Sequence, residues 1–194
     1  MSDDSQSAAR RESIVRAGTG VFLRFGFRKT SMHDVARAAG ISRQGLYLHF
    51  STKNDLFRAV VTHMLDDLRS TTWQALGRDD RPVEKRLADA FEAFHGVTVA
   101  AVDRLIFAEV LQAAQSFAAD TMSGLERDLV ADTGRLLDRT GHAAPWRENG
   151  LTPADLAQHL FDASAGAKYE SASLEEYRRR LIVAVRIVTR STER

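Results

Sequence analysis

A chain of 194 residues is long enough to bury a core and to carry a small module beside a larger one. The absence of cysteine excludes disulfides and thiolate metal sites, and neither a secretory leader nor an apolar run of about 18 residues occurs, so a soluble cytoplasmic protein is expected. The net charge of +1 hides an asymmetry, because residues 1–60 hold 10 Lys/Arg against 5 Asp/Glu and the remainder is mildly acidic; a basic head suits a polyanion partner.

Only Pro82, Pro145 and Pro153 interrupt the chain, and apolar residues recur at spacings of three and four without sustained alternation, which predicts an all-α fold. Residues 1–7 are polar, and a first helix is expected from Ala8 to Phe25 on the apolar positions Ile14, Val15, Val21, Phe22 and Phe25, with Gly26 as its stop. Ser31 with Asp34 forms a capping box for a helix ending at Ala39, and Gly40 breaks it. Ser42 caps the next, to His49. Thr52 with Asp55 opens a long helix whose Leu56, Phe57, Val60, Val61, Met64, Leu65 and Leu68 share a face.

After the polar break at Asp79 to Pro82, Val83, Leu87, Phe91 and Phe94 mark a helix to Ala101. Leu105 to Leu111 mark the next, and Met122 to Leu137 another, stopped at Gly141. The stretch from His142 to Leu151 reads as a loop. Thr152, Pro153 and Asp155 supply a cap, a first-turn proline and a capping-box acid, and Ser173 with Glu176 starts a last helix carrying Tyr177, Leu181, Ile182, Val185 and Val188.

The segment from Thr30 to Phe57 carries the chemistry. Val35, Ala36 and Ala39 face inward on one helix, Gly40 suits a sharp turn, and Ile41, Leu46 and Tyr47 surround a second helix, the pattern of a helix-turn-helix or of a plain helical hairpin. The segment resembles the TetR (tetracycline-repressor-like) family in Thr30, Val35, Ala36, Ala39, Gly40, Ile41, Ser42, Leu46, Tyr47, His49, Phe50, Lys53, Leu56 and Phe57, preceded by Phe22 and Gly26. Gln44 and Gly45 depart from the small-residue pair common at that place, so no operator preference is carried over.

The resemblance implies an N-terminal three-helix DNA-binding domain, residues 8–57, and a C-terminal helical ligand-binding and dimerisation domain, residues 58–194. A recognition helix enters the major groove N-terminal residues first, which nominates Arg43 for guanine and Gln44 for adenine, with Gly45 allowing close backbone approach. The resemblance implies that Thr30, Ser42, Tyr47, His49 and Lys53 position phosphates, each with a donor suited to the task; core packing is the alternative for Tyr47 and His49, and a solvated surface for Lys53. Arg28 and Lys29 are general electrostatic contacts or plain surface.

In the body, Leu156, Leu160, Ala163 and Ala167 share a face beside Ser164 and Gly166, and Leu181, Ile182, Val185 and Val188 share one on the last helix. These faces either build a two-fold four-helix interface or pack within one subunit. Phe91, Phe94, His95, Phe107, Gln112 and Phe161 are the candidate lining of an effector pocket, against a plain aromatic core. No cofactor and no metal are expected, since His95 and His159 lack a ligand spacing. An enzyme and a protein-interaction bundle are the competing classes; no nucleotide loop, nucleophile elbow or zinc-protease helix occurs. The implied function is a regulator, in the first place a repressor, released from a palindromic operator by a small molecule, the alternative being one that needs no ligand.

Overall fold

The computed structural model describes residues 2–101 and 103–189, and among them the regular elements are all helices: α1 Ser2–Lys29, α2 Met32–Ala38, α3 Arg43–Tyr47, α4 Lys53–Leu76, α5 Val83–Ala100, α6 Arg104–Arg139, α7 Ala144–Arg147, α8 Pro153–Glu170 and α9 Leu174–Thr189. The N-terminal helices form a helix-turn-helix and the C-terminal ones a separate bundle, the all-α architecture expected from the sequence. Of the described residues, one compact unit takes those up to Asp66 with Asp103–Thr121, and the other takes 67–101 with those from Met122 onward. The border expected at residues 57 and 58 falls inside α4.

In the first unit, α1 turns Ile14, Val15, Val21 and Phe22 inward at helical spacing, and Val35, Leu46, Phe50, Leu56 and Phe57 close the core over them. The Phe57 ring meets Phe22 edge-on at 5.0 Å, Phe27 at 4.6 Å and Phe117 at 6.0 Å. Burying side chains of this size stabilises the head by about 1.5–3 kcal/mol each. Val110, Ala114 and Ala118 of α6 belong to the same core, so residues 103–121 complete the head although the sequence places them in the body.

Two helix boundaries differ from expectation at this end. α1 begins at Ser2 rather than Ala8, and it breaks at Gly26 but resumes for one turn to Lys29. At Gly26 the dihedrals are φ 77° and ψ 172°, a region essentially confined to glycine, so the stop signal acts as a kink. The capping boxes hold: Asp34 N–H donates to Ser31 Oγ at 3.2 Å, and Asp55 N–H to Thr52 Oγ1 at 3.1 Å.

In the second unit, α5 packs on α8 and α9, and α8 on α9. Leu87, Phe91, Leu160, Tyr177 and Leu181 are among its largest fully buried side chains. The two helices expected between Leu105 and Leu137 are one, α6, because no proline interrupts them and Gly124 and Gly134 keep negative φ. Asp103 Oδ1 caps its start by accepting from the amides of Leu105 and Ile106. The loop expected over His142 to Leu151 contains the single turn α7, held where Trp146 Nε1–H donates to the carbonyl of Val188 at 2.9 Å. Thr152 caps α8 through a capping box with Asp155, as expected.

Candidate nucleic-acid interface

The geometry of the second and third helices follows from short-range chemistry. α2 ends where Gly40 takes φ 66°, and the turn is closed by Ile41 N–H donating to Ala36 C=O at 3.0 Å. Ser42 then caps α3, its Oγ accepting from Gly45 N–H at 3.0 Å. Leu46 is fully buried and Phe50 nearly so, which anchors α3 on the core by its inner face. The outer face is left to solvent: Ser42, Arg43, Gln44, Tyr47 and Leu48 are all exposed.

These side chains make two parallel ridges, because residues four apart stack on a helix. Arg43 and Tyr47 form one, with the guanidinium carbon 5.6 Å from the ring centroid. Gln44 and Leu48 form the other. Leu48 keeps helical dihedrals as the C-cap and is 82% exposed. Leu48 is not among the residues expected from the sequence at this face; its spacing of four from Gln44 is the signal that places it there.

A planar guanidinium, a side-chain amide, a phenol and a hydroxyl displayed on one exposed face are the donor set that base edges and phosphates require. Gly45 is half-buried, and a Cβ there would lie 3.2 Å from Ser42 Oγ, so the missing side chain protects the cap as well as opening the surface. His49 is half-buried, with its amide donating to Leu46 C=O. The Arg11 guanidinium lies 4.6 Å from the centroid of Phe50, which places a cation from α1 beside the base of this face.

Two residues expected at phosphates have other partners in this structure. Thr30 is 3% exposed, and its hydroxyl donates to the carbonyl of Gly26 at 2.7 Å. Lys53 Nζ donates to the carbonyls of Phe27 at 2.8 Å, Thr30 at 3.0 Å and Arg28 at 3.4 Å, and lies 4.4 Å from the Phe27 ring centroid. Three hydrogens meet three acceptors at the C-terminal end of α1, where unpaired carbonyls favour a cation. Arg28 is exposed, and its amide donates to Glu109 Oε1 of α6 at 2.9 Å. In the sequence Glu109 stands among the polar residues that could orient an effector between the body's aromatic side chains; the structure places it in the first unit, against Arg28.

The effector candidates divide between the units. Phe91, Phe94, His95 and Phe161 gather in the second, where His95 lies 5.1 Å from both Phe94 and Phe161 by ring centroids. Phe107 is buried in the first unit and Gln112 is exposed there. A buried relay crosses the cluster: His95 Nδ1 to Ser164 Oγ, Ser164 Oγ to Tyr177 OH, and Tyr177 OH to the carbonyl of Phe91, at 2.8, 2.8 and 2.9 Å. The carbonyl can only accept, so Tyr177 donates to it, Ser164 donates to Tyr177, and His95 carries its hydrogen on Nδ1. Burial, with a smaller contribution from the Lys168 ammonium, pushes the His95 pKa down to about 3, so the imidazole is neutral at pH 7.

Most of the α8 and α9 faces expected at an interface lies inside the subunit, with Ile182 the exception. Leu156, Leu160, Ala167, Leu181, Val185 and Val188 are buried, whereas Ile182, Val183 and Ile187 stand outside at 41%, 57% and 51% exposure. Among the described residues no helix is long and apolar enough to cross a membrane, and no group of three or more His, Asp or Glu could hold a metal.

Residues 14–60 match the family described as bacterial regulatory proteins, tetR family. The HTH-type transcriptional activator FasR of Mycolicibacterium smegmatis is 39% identical over 85 residues, 44% of this chain and 38% of that protein. The HTH-type transcriptional repressor KstR2 of the same species is 33% identical over 81 residues, 42% of this chain and 40% of that protein. The chain thus spans well under half the length of these two relatives. Among solved structures, reduced NemR of Escherichia coli has a TM-score of 0.64 at 17% identity, with 91% of this chain and 95% of that one covered. SmeT, the repressor of the Stenotrophomonas maltophilia multidrug efflux pump SmeDEF, has a TM-score of 0.57 at 19% identity, with 92% and 87% covered. At such identities the likeness is one of fold.

Proposed function

We propose that the chain, which matches the tetR family of bacterial regulatory proteins over residues 14–60, is a DNA-binding transcriptional regulator of that family, a dimeric repressor released from a near-palindromic operator by a small molecule. The observation that carries the DNA reading is the exposed double ridge of Arg43, Gln44, Tyr47 and Leu48 on a helix capped by Ser42 and anchored by Leu46 and Phe50. Arg43 and Gln44 lead into the major groove and meet base edges, while Ser42, Tyr47, His49 and the side chain of Arg28 meet phosphates. Thr30 and Lys53 act behind them by holding the end of α1 to the start of α4.

Dimerisation is assigned to the outer stripe of α9, Ile182, Val183 and Ile187, since an exposed apolar row on a helix gains most by meeting its two-fold copy. Two heads related by that axis demand an inverted repeat. Repression is the simpler outcome physically, because a dimer on its operator blocks access by occupancy alone, whereas activation needs a further contact; relatives named as repressor and as activator both share this head. An effector is drawn to the aromatic cluster around His95. The ligand-independent reading rests on the same residues, since Phe91 and His95 are already packed and hydrogen-bonded.

Selecting random duplex DNA with the purified protein tests the reading. Enrichment of an inverted repeat, bound by two chains, is the expected result. Enrichment of a site without two-fold symmetry, or binding by one chain, overturns the dimeric reading, and a screen in which no small molecule weakens the complex favours the ligand-independent one.

A further inference from the structure

Leu48 has a role that an exposed face of polar donors leaves open. A leucine on a protein surface is ordinary when it stands alone. This one stands in line: it follows Gln44 by four residues on the same ridge, and it flanks Tyr47 of the neighbouring ridge. The α3 segment carrying both is immobilised from below by buried Leu46 and Phe50. The branched end of Leu48 is therefore presented to solvent at the C-terminal end of α3, on the surface assigned to DNA.

The major groove offers one apolar feature to such a side chain, the C5-methyl of thymine. We propose that Leu48 reads a thymine methyl and so is a specificity-determining residue, an inference that rests on α3 entering the major groove. One helical turn separates Leu48 from Gln44, about 6 Å along the axis, on the order of two base-pair steps. If Gln44 bridges an adenine, the methyl read by Leu48 belongs to a thymine within about two base pairs of it. Arg43, with the Tyr47 ring beneath it, sits on the other ridge and serves a different base.

The contact can be tested one methyl at a time, because deoxyuridine pairs as thymidine does and lacks only that group. On a DNA site selected by the protein, each thymine in turn is replaced by deoxyuridine, and binding of the wild-type chain and of Leu48→Ala is compared by competition. The expected result is one position per half-site where the wild type loses about four-fold, the ratio corresponding to ~0.8 kcal/mol for one buried methyl. At that position Leu48→Ala binds thymine and uracil alike. Arg43→Ala keeps the methyl sensitivity while losing affinity elsewhere.

A selected site in which no methyl matters, or methyl sensitivity that survives in Leu48→Ala, overturns the assignment while leaving the DNA reading intact. Enrichment of no sequence at all overturns the major-groove reading and Leu48 with it. Since Leu48 is exposed, unchanged thermal unfolding of the variant separates a lost contact from a lost fold.

Discussion

Glu109 accepts the amide of Arg28 at 2.9 Å, and its carboxylate fills the space beside Gly26 so closely that a Cβ there would lie 2.9 Å from each oxygen. One acid from α6 thereby occupies both the kink of α1 and the backbone that follows it. The first turns of α6 are tied to the head by this hydrogen bond from the Arg28 amide to the Glu109 carboxylate as well as by the apolar contacts of Val110 and Ala114.

Gly26→Ala is expected to be costly for two separable reasons. The dihedrals at Gly26 disfavour any side chain by about 1–3 kcal/mol, and the new methyl also displaces Glu109. Unfolding by urea, measured for Gly26→Ala, Glu109→Ala and the double variant, checks this. The double variant should recover the part due to the clash and retain the part due to the dihedrals; strict additivity would show that Glu109 exerts no pressure on residue 26.

Lys53 and Arg43 should fail in different ways. Lys53→Met removes a cation directed at three carbonyls and is expected to cost about 2 kcal/mol of stability, in the range for hydrogen bonds to charged groups, with the salt dependence of DNA binding unchanged. Arg43→Ala leaves stability alone, costs about 1–3 kcal/mol on the preferred sequence and relaxes preference at one position per half-site. Titrations over a range of salt distinguish them. A slope reduced by about one unit per subunit in Lys53→Met would show instead that its ammonium turns to a phosphate.

The outer stripe of α9 gives a prediction about assembly. Ile187→Glu places a charge on an exposed position, so the subunit keeps its fold, but an interface formed by that stripe buries an unpaired carboxylate and dissociates. Light scattering after size exclusion is expected to return a monomer with unaltered far-ultraviolet circular dichroism. Leu181→Glu, on the buried face of the same helix, should unfold the second unit instead. A dimer that tolerates Ile187→Glu moves the interface elsewhere.

His95 makes stability depend on pH with a definite sign. Folding holds the imidazole neutral down to about 3, whereas the unfolded chain takes up the proton near its ordinary value of 6.5. The contribution of His95 is therefore complete above the ordinary value and is lost as pH falls from 6.5 toward 3, at up to ~1.4 kcal/mol per pH unit. His95→Gln keeps a donor for Ser164 and cannot titrate. The difference in unfolding free energy between the two proteins, followed from about pH 7 to pH 5, should shrink with acid; a constant difference would mean that the ring protonates freely in the fold.

What the sequence determined by itself was local. Ser31 with Asp34, Thr52 with Asp55 and Thr152 with Asp155 start helices where their spacing predicted, since a cap needs partners only three residues away, and Gly40 turns the chain for the same short-range reason. The donors of α3 were legible too, because a short capped helix with Leu46 and Phe50 inside must leave Arg43, Gln44 and Tyr47 outside. Tertiary structure alone decided which apolar stripe of α8 and α9 faces inward: a helix apolar on more than one side offers two burial solutions of similar energy, and only the packing of α5 on both selects between them. It likewise decided that Lys53 and Thr30 meet carbonyls near the end of α1, because a charged or hydroxylated side chain takes whichever partner the fold brings to it. Glu109 reaches Arg28 across 81 residues, a distance over which periodicity and capping rules carry no information.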